Sequence, residues 1–317
     1  MRRSKNCYNR SLFMTQKKIK SREMPLISIV IPTYHCERTI EKCLQSISRQ
    51  SYLNIETIVV DSINYTFSEK ERYKTIIKKY ARYYVDGPER SIQRNRGIQE
   101  AKGDFILIVD QDMYLSPTVV EECIDVITKK NYIALIIPEI SIGEGFWTKC
   151  VALERYVSIY LEGGMNECCR FFRKKDALAI GGYDTTIVGI EDSDFHYRMK
   201  MKGPIGKIKN YLYHDEGRTS FFGRIKKKYY YSKAFRKYLK RYPDIVIAQF
   251  FPIKKAYVKH FDLLLRHPLL TAGLVLLRSG EVFGGLLGML VNTNKKPIKK
   301  GARNVFLATK SSISNRC

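Results

Sequence analysis

Phe105-Ile106-Leu107-Ile108-Val109-Asp110-Gln111-Asp112 is the stretch on which the reading of this 317-residue chain turns. Five apolar residues in a row read as a strand buried on both faces. The run stops on two carboxylates one residue apart. Carboxylates so spaced make an oxygen-rich site for a hard divalent cation, Mg²⁺ or Mn²⁺, which takes one or two carboxylates and completes its shell from phosphates and water. Asp110 and Asp112 are therefore candidate metal ligands. The same pair also opens ordinary loops, so its surroundings decide.

Upstream, Leu26 to Ile31 and Ile55 to Val60 are further apolar runs, the first ending at Pro32 and the second at Asp61. Glu37 to Gln50 has helical spacing, with Ile40, Leu44 and Ile47 on one face. Ser68 to Tyr80 and Ser91 to Ala101 also read as helices, Tyr83 to Val85 as a short strand, and Ser116-Pro117 opens another helix with proline in its first turn. Strand and helix thus alternate four times within 130 residues, which predicts an α/β fold with a mostly parallel sheet flanked by helices. Ligands in such sheets lie beyond the carboxyl ends of the strands. Those ends carry Thr33-Tyr34, Asp61 and Asp110-Gln111-Asp112. Further on, strands are expected at Tyr132 to Ile140, Cys169 to Arg173 and Lys207 to Tyr213, with His214 following the last. Helices are expected at Trp147 to Tyr160 and Glu191 to Met201.

Six segments in order resemble the family-2 glycosyltransferases of GT-A fold, a Rossmann-like plan. They are Val30-Ile31-Pro32-Thr33-Tyr34, Ile58-Val59-Val60-Asp61-Ser62, Gln93-Arg94-Asn95-Arg96-Gly97-Ile98, Asp110-Gln111-Asp112, Gly181-Gly182-Tyr183-Asp184 and Gly189-Ile190-Glu191-Asp192-Ser193-Asp194. The resemblance covers about 26 to 218. It implies that Pro32, Thr33 and Tyr34 line a nucleobase pocket and that Asp61 hydrogen-bonds the base. It further implies that Asp110 contacts ribose or metal, that Asp112 holds the metal between two phosphates, and that Asp192 is the general base. His214 would complete the metal shell, as a late histidine does in several GT-A enzymes, and Arg218 would touch the diphosphate. The chain departs from the family after Asp61, where Ser62-Ile63-Asn64-Tyr65 replaces further acidic and small polar residues. That leaves the preferred donor base open.

The chemistry follows from the residue types. A departing nucleoside diphosphate gains charge, which a metal clamp neutralises, and Arg94 is a candidate second cation beside the phosphates. An acceptor hydroxyl needs a carboxylate to take its proton, typically for roughly 10²–10⁴-fold in rate. Asp192, early in a helix after Gly189, suits that role, although acidic residues in a first helical turn are stabilising anyway. A base opposite the leaving group implies a single inverting displacement. The expected partners are a UDP- or GDP-linked sugar donor and a glycan or lipid-linked acceptor.

Lys and Arg number 56 against 31 Asp and Glu, a net charge of +25, which favours an anionic partner. Residues 1–24 read as a basic flexible arm without an apolar signal core. Residues 25–218 read as the catalytic domain and 219–317 as a basic, amphipathic to apolar helical extension that associates with membrane. Residues 224 to 241 interleave Lys and Arg with Tyr and Phe, as a helix in a headgroup layer does. Leu269 to Val291 is nearly all apolar and long enough to cross a bilayer. Arg278 and Glu281 oppose that, since a charge at mid-membrane costs about 2.5–3.5 kcal/mol. They sit one turn apart and would pair, and Gly280, Gly284 and Gly288 permit close helix approach. An anionic membrane surface is the expected partner and the cytoplasmic face of a membrane the expected location, with a membrane-inserted helix and a buried core helix as alternatives. Eight cysteines without C-x-x-C spacing read as reduced thiols. A sugar-nucleotide nucleotidyltransferase would show a glycine-rich phosphate loop, and Pro32-Thr33-Tyr34 stands there instead. A basic nucleic-acid-binding protein would not need acidic residues at strand ends, so no nucleic acid is expected. A silent sugar-nucleotide-binding scaffold would not need Asp110, Asp112 and Asp192.

Overall fold

The computed structural model describes residues 24–64, 67–161, 167–244 and 255–290. The basic arm up to residue 23, Tyr65 and everything past Leu290 lie outside the described residues, as do the side chains of 67–70, 72 and 233–236. The described residues form two compact units, the first from those within 24–138, 169–176 and 202–214, the second from the other described residues.

The first unit is built on a seven-stranded sheet. Strands β1 (Ile27–Thr33), β2 (Ile55–Asp61), β3 (Arg82–Val85) and β4 (Phe105–Ile108) form its parallel half. Strands β6 (Ala134–Ile136), β8 (Cys169–Arg173) and β9 (Ile205–Lys207) complete it, in the order β3-β2-β1-β4-β8-β6-β9. β8 runs antiparallel to both neighbours. Every residue of β1 and β4 is buried, as strands with neighbours on both sides and apolar runs on both faces must be. Register sets Thr33 beside Asp61 and Val30 beside Ile108, so the strand ends line up. Helix α1 (Ile40–Ser48) buries Ile40, Cys43, Leu44 and Ile47, the face its spacing predicted. α2 (Phe67–Tyr80) follows, then α3 (Arg90–Glu100). α3 comes close to β1 because Gly97 has no side chain: a Cβ there would sit 2.2 Å from Val30 Cγ1.

Several boundaries differ from the sequence reading. The strand expected over Tyr132 to Ile140 is cut at Ile137-Pro138 into β6 and β7 (Glu139–Glu144), because proline has no N–H to continue a ladder. The strand expected over Lys207 to Tyr213 divides into β9 and β10 (Leu212–Arg218). Between them the Lys209 and Asn210 N–H groups donate to the Glu122 carboxylate at 2.9 and 2.8 Å, holding a turn. His214 is therefore inside a strand, not after one. Its strand pairs antiparallel with β5 (Met113–Leu115), which the sequence did not suggest, and this sets His214 opposite Met113. α4 (Val119–Lys129) begins two residues past Pro117 rather than with it.

In the second unit, α5 (Phe146–Arg155) runs on as a π-helical turn over Tyr156–Leu161. After α6 (Lys174–Ala179), which leads out of β8, come α7 (Glu191–Lys202) and the long basic α8 (Phe221–Arg241). α9 (Lys255–Lys259), α10 (Phe261–Leu265) and α11 (Pro268–Leu290) follow. A chain of ion pairs threads this unit. Arg155 bridges Glu139 (3.2 Å) and Glu216, Arg224 bridges Glu216 (3.9 Å) and Glu281 (2.6 Å), and Arg278 bridges Glu281 and Glu154. Arg278 and Glu281 thus pair as their spacing predicted. None of the six described cysteines forms a disulfide, and Cys168 and Cys169 do not bridge.

Candidate active site

At the carboxyl end of β2, Asp61 is fully buried and its carboxylate accepts four hydrogen bonds. Thr33 Oγ1 (2.8 Å) and Ser62 N (3.0 Å) reach Oδ1; Tyr73 OH (3.1 Å) and Tyr83 OH (2.8 Å) reach Oδ2. Four donors match the four lone-pair directions of a carboxylate. Burial, and then the bond to Asp61, push the Tyr83 phenol well above its usual range, which keeps it a donor. Within this unit Asp61 therefore fixes the walls of the β1–β2 crevice, and the two tyrosines, unassigned from the sequence, belong to it.

After β4 the trio separates into three tasks. Asp110 lies between two guanidiniums, with Arg94 Nη2 at 2.8 Å from Oδ1 and both terminal nitrogens of Arg170 at 3.4 Å from Oδ2. Burial raises the Asp110 pKa, but Arg94 and then Arg170 outweigh it and hold this carboxyl far below the usual carboxylate range. Arg94, expected beside the donor phosphates, is instead fully buried and directed at Asp110. Gln111 turns back to Tyr34, Oε1 accepting from Tyr34 N at 2.7 Å and Nε2 donating to Tyr34 O at 2.9 Å. Asp112 remains partly exposed, with His214 Nε2 at 3.6 Å from its Oδ2. Burial, then Asp112 and Asp110, drive the Cys43 thiol upward and keep it protonated.

Among the described residues no group of three or more His, Cys, Asp or Glu side chains is gathered tightly enough to enclose a metal. The pair Asp112 and His214 still fits a catalytic cation by donor chemistry. One carboxylate oxygen and one imidazole suit Mn²⁺, and a cation that works on phosphates leaves positions for them.

Two expected residues belong to the second unit. Asp192 is the second residue of α7 and half-buried. Arg218 ends β10, its Cγ 3.6 Å from where a Cβ on Gly145 would stand. Asp194, two residues past Asp192, is fully buried and held by Arg198 Nε (2.8 Å), Arg241 Nη1 (2.5 Å) and Tyr242 OH (3.0 Å). The preceding turn needs its glycines: Gly181, Gly182 and Gly189 have φ of +81°, +68° and +87°.

A mostly parallel sheet with acidic residues at its strand ends, and an acidic helix start after a glycine turn, is the plan of the GT-A glycosyltransferases. Residues 28–181 match the model of glycosyl transferase family 2, and this stretch belongs to that family of enzymes. The chain is 29% identical over 102 residues to the putative glycosyltransferase EpsH of Bacillus subtilis, a match covering 32% of this chain and 30% of that protein. It spans 30% to 60% of the lengths of the first curated relatives it matches. Among solved structures it is similar in fold to the mannosyltransferase PcManGT from Pyrobaculum calidifontis, in complex with GDP-Man and Mn²⁺. The TM-score is 0.57 at 16% identity, over 86% of this chain and 89% of that one. It is likewise similar to S. aureus TarS 1–349 in complex with UDP-GlcNAc, with TM-score 0.53 at 15% identity, over 83% and 90%.

Proposed function

We propose that this chain transfers a glycosyl residue from a UDP- or GDP-linked sugar to a hydroxyl acceptor, with inversion, on a lipid-linked or membrane-proximal glycan at the cytoplasmic face of a membrane. The observation that carries the reading is the division of labour after β4: Asp110 locked between Arg94 and Arg170, Asp112 beside His214 and partly exposed. Two solved structures of this fold carry nucleotide sugars, one with GDP-Man and Mn²⁺ and one with UDP-GlcNAc, which supports a donor of that class.

On this reading Pro32, Thr33 and Tyr34 line the base pocket and Asp61 fixes its walls, meeting a base only by exchanging one of its internal partners. Asp112 and His214 hold Mg²⁺ or Mn²⁺. When bound, the cation neutralises charge growing on the leaving diphosphate. Asp110 leaves the metal set and tunes the field around it, a change from the expected ribose or metal contact. Arg218 serves the diphosphate. Asp192 takes the acceptor proton, a task suited to a partly exposed carboxylate and not to the clamped Asp194.

Calorimetric titration of UDP, GDP and their sugar conjugates, with and without Mn²⁺, on wild type and Asp112→Ala tests the reading. Metal-dependent binding of one nucleotide, lost in the variant, is expected. No nucleotide binding together with salt-sensitive binding of RNA would overturn it in favour of a nucleic-acid-binding protein.

A further inference from the structure

Helix α11 is amphipathic in the inverted sense. The stripe it presents to the rest of the second unit sets glycines and its only two charged residues beside just two buried leucines, Leu274 and Leu277. A Cβ on Gly273 would meet Phe146 and Cys150 of α5. One on Gly280 or Gly284 would meet Ile225 of α8, each at 2.7 Å, and one on Gly288 would meet Ser232 Oγ and Tyr229 O. Between these contacts Glu281 is buried against Arg224 and Arg278, and Arg278 also reaches Glu154. The opposite stripe holds Leu269, Val275, Val282, Phe283, Leu286 and Leu290, all exposed, with exposures of 78% at Leu269 and 75% at Leu290. No charged side chain interrupts it, because Arg278 and Glu281 both face inward. An ordinary surface helix turns its apolar stripe to the core and its charges to water. An uncovered apolar face of this length marks a surface built for another phase or partner.

The surroundings identify what covers it. On α8 the contact stripe runs through Phe221, Ile225 and Ser232. At 100° per residue the adjacent stripe is Phe222, Lys226 and Tyr230, all exposed. The approach to α11 is exposed in the same mixed style, with Val258, Phe261 and Leu265 among Lys259 and Arg266. Aromatic and cationic side chains beside an uncharged apolar stripe suit a headgroup layer over acyl chains. A second copy would bring +25 against +25, whereas an anionic bilayer complements that charge. By length and composition alone α11 is also a candidate span. A span would expose its whole circumference to lipid, and here one side is bonded to α5 and α8 through buried ion pairs.

We propose that α11 lies in the plane of an anionic membrane, its outer stripe sunk ~5–10 Å into the headgroup and acyl boundary and its charged stripe kept on the protein side. This fixes how the enzyme would sit on a membrane and does not depend on the donor chemistry. The test is co-sedimentation of the full chain with vesicles of phosphatidylcholine alone or mixed with phosphatidylglycerol, at low and high salt, for wild type and the exposed-face double variant Phe283→Asp with Leu286→Asp. Expected are binding to the anionic vesicles, weakening with salt, and at least a tenfold loss in the variant. An unchanged urea unfolding midpoint in the variant separates lost docking from lost folding. A membrane-impermeant maleimide is expected to label Leu269→Cys and Leu290→Cys without vesicles and to be slowed alike at both when anionic vesicles are present, with no change when the vesicle is opened. Protection of only one end until the vesicle is opened would mean a span and overturn the proposal. So would unchanged binding in the variant, or a dimer by light scattering that the variant converts to monomer without any vesicle binding.

Discussion

Gln111 closes both amide atoms of its side chain on the backbone of one residue, Tyr34, 77 positions earlier. The loop after β1, proposed to hold the base, is thereby tied to the loop after β4, proposed to hold the metal. His35, at φ +49°, is kept in the left-handed region at the same junction, and its carbonyl accepts from Gln111 Nε2 at 3.3 Å. Gln111→Ala removes this tie from the surface, where each bond is worth about 0.5–1.5 kcal/mol. The nucleotide Kd by calorimetry should rise roughly 3- to 10-fold, with little change in thermal midpoint.

Arg94→Ala leaves the Asp110 carboxylate buried without its 2.8 Å partner. Breaking a buried pair from one side typically costs about 3–5 kcal/mol. Urea unfolding should show a lower midpoint at unchanged slope. Arg170→Ala, whose contacts with Asp110 are longer at 3.4 Å, should cost less.

Asp192 and Asp194 should give opposite phenotypes although they share one helical turn. Asp192→Asn is expected to lower kcat by roughly 10²–10⁴ while donor binding and urea midpoint stay unchanged. Asp194→Asn discards a carboxylate clamped by Arg198, Arg241 and Tyr242 and should lower stability instead. Equal loss of stability in both variants would remove Asp192 from its proposed role.

Burial, with a smaller push from Lys200, drives the His196 imidazole down to about 4 from an ordinary 6.5. The unfolded chain therefore binds this proton more readily than the folded one. The associated stability is fully present above pH 6.5 and is lost progressively as pH falls to about 4. Urea midpoints at steps across that window should decline in wild type and decline less in His196→Gln.

How much of this could be read from the chain depends on the range of the forces involved. Ile29 to Ile31, Ile58 to Val60 and Phe105 to Val109 were legible because a stretch of strand buried on both faces must be apolar at every position. The α7 start and its glycine turn were legible because each is settled within a few residues. Arg94 was not, since Gln93-Arg94-Asn95-Arg96 looks like a wet helix face. Only the fold brings Asp110 and Arg170 to it, from 16 and 76 positions away. Tyr73 and Tyr83 were hidden likewise, each looking like an ordinary aromatic until Asp61 is placed between them. An arginine inside Cys169-Arg170-Phe171-Phe172 was the one available hint, for a charge on a buried strand needs a partner. The pairing of His214 with Asp112 required β5, three residues too short to carry a pattern.

The place of β8 between β4 and β6 has a consequence during synthesis. β4, the strand that delivers Asp110, has one side matched to β1 as soon as it is made, but its other side waits for Phe171 to Arg173. About 65 residues separate the two strands, so at 5–20 residues per second the edge of Phe105 to Ile108 stands bare for roughly 3–13 s. That edge is apolar and carries no charge or proline of its own to repel a neighbouring chain. A nascent chain halted between residues 109 and 168 is thus a sticky half-sheet, and fragments of this protein should remain soluble only once they extend through Arg173.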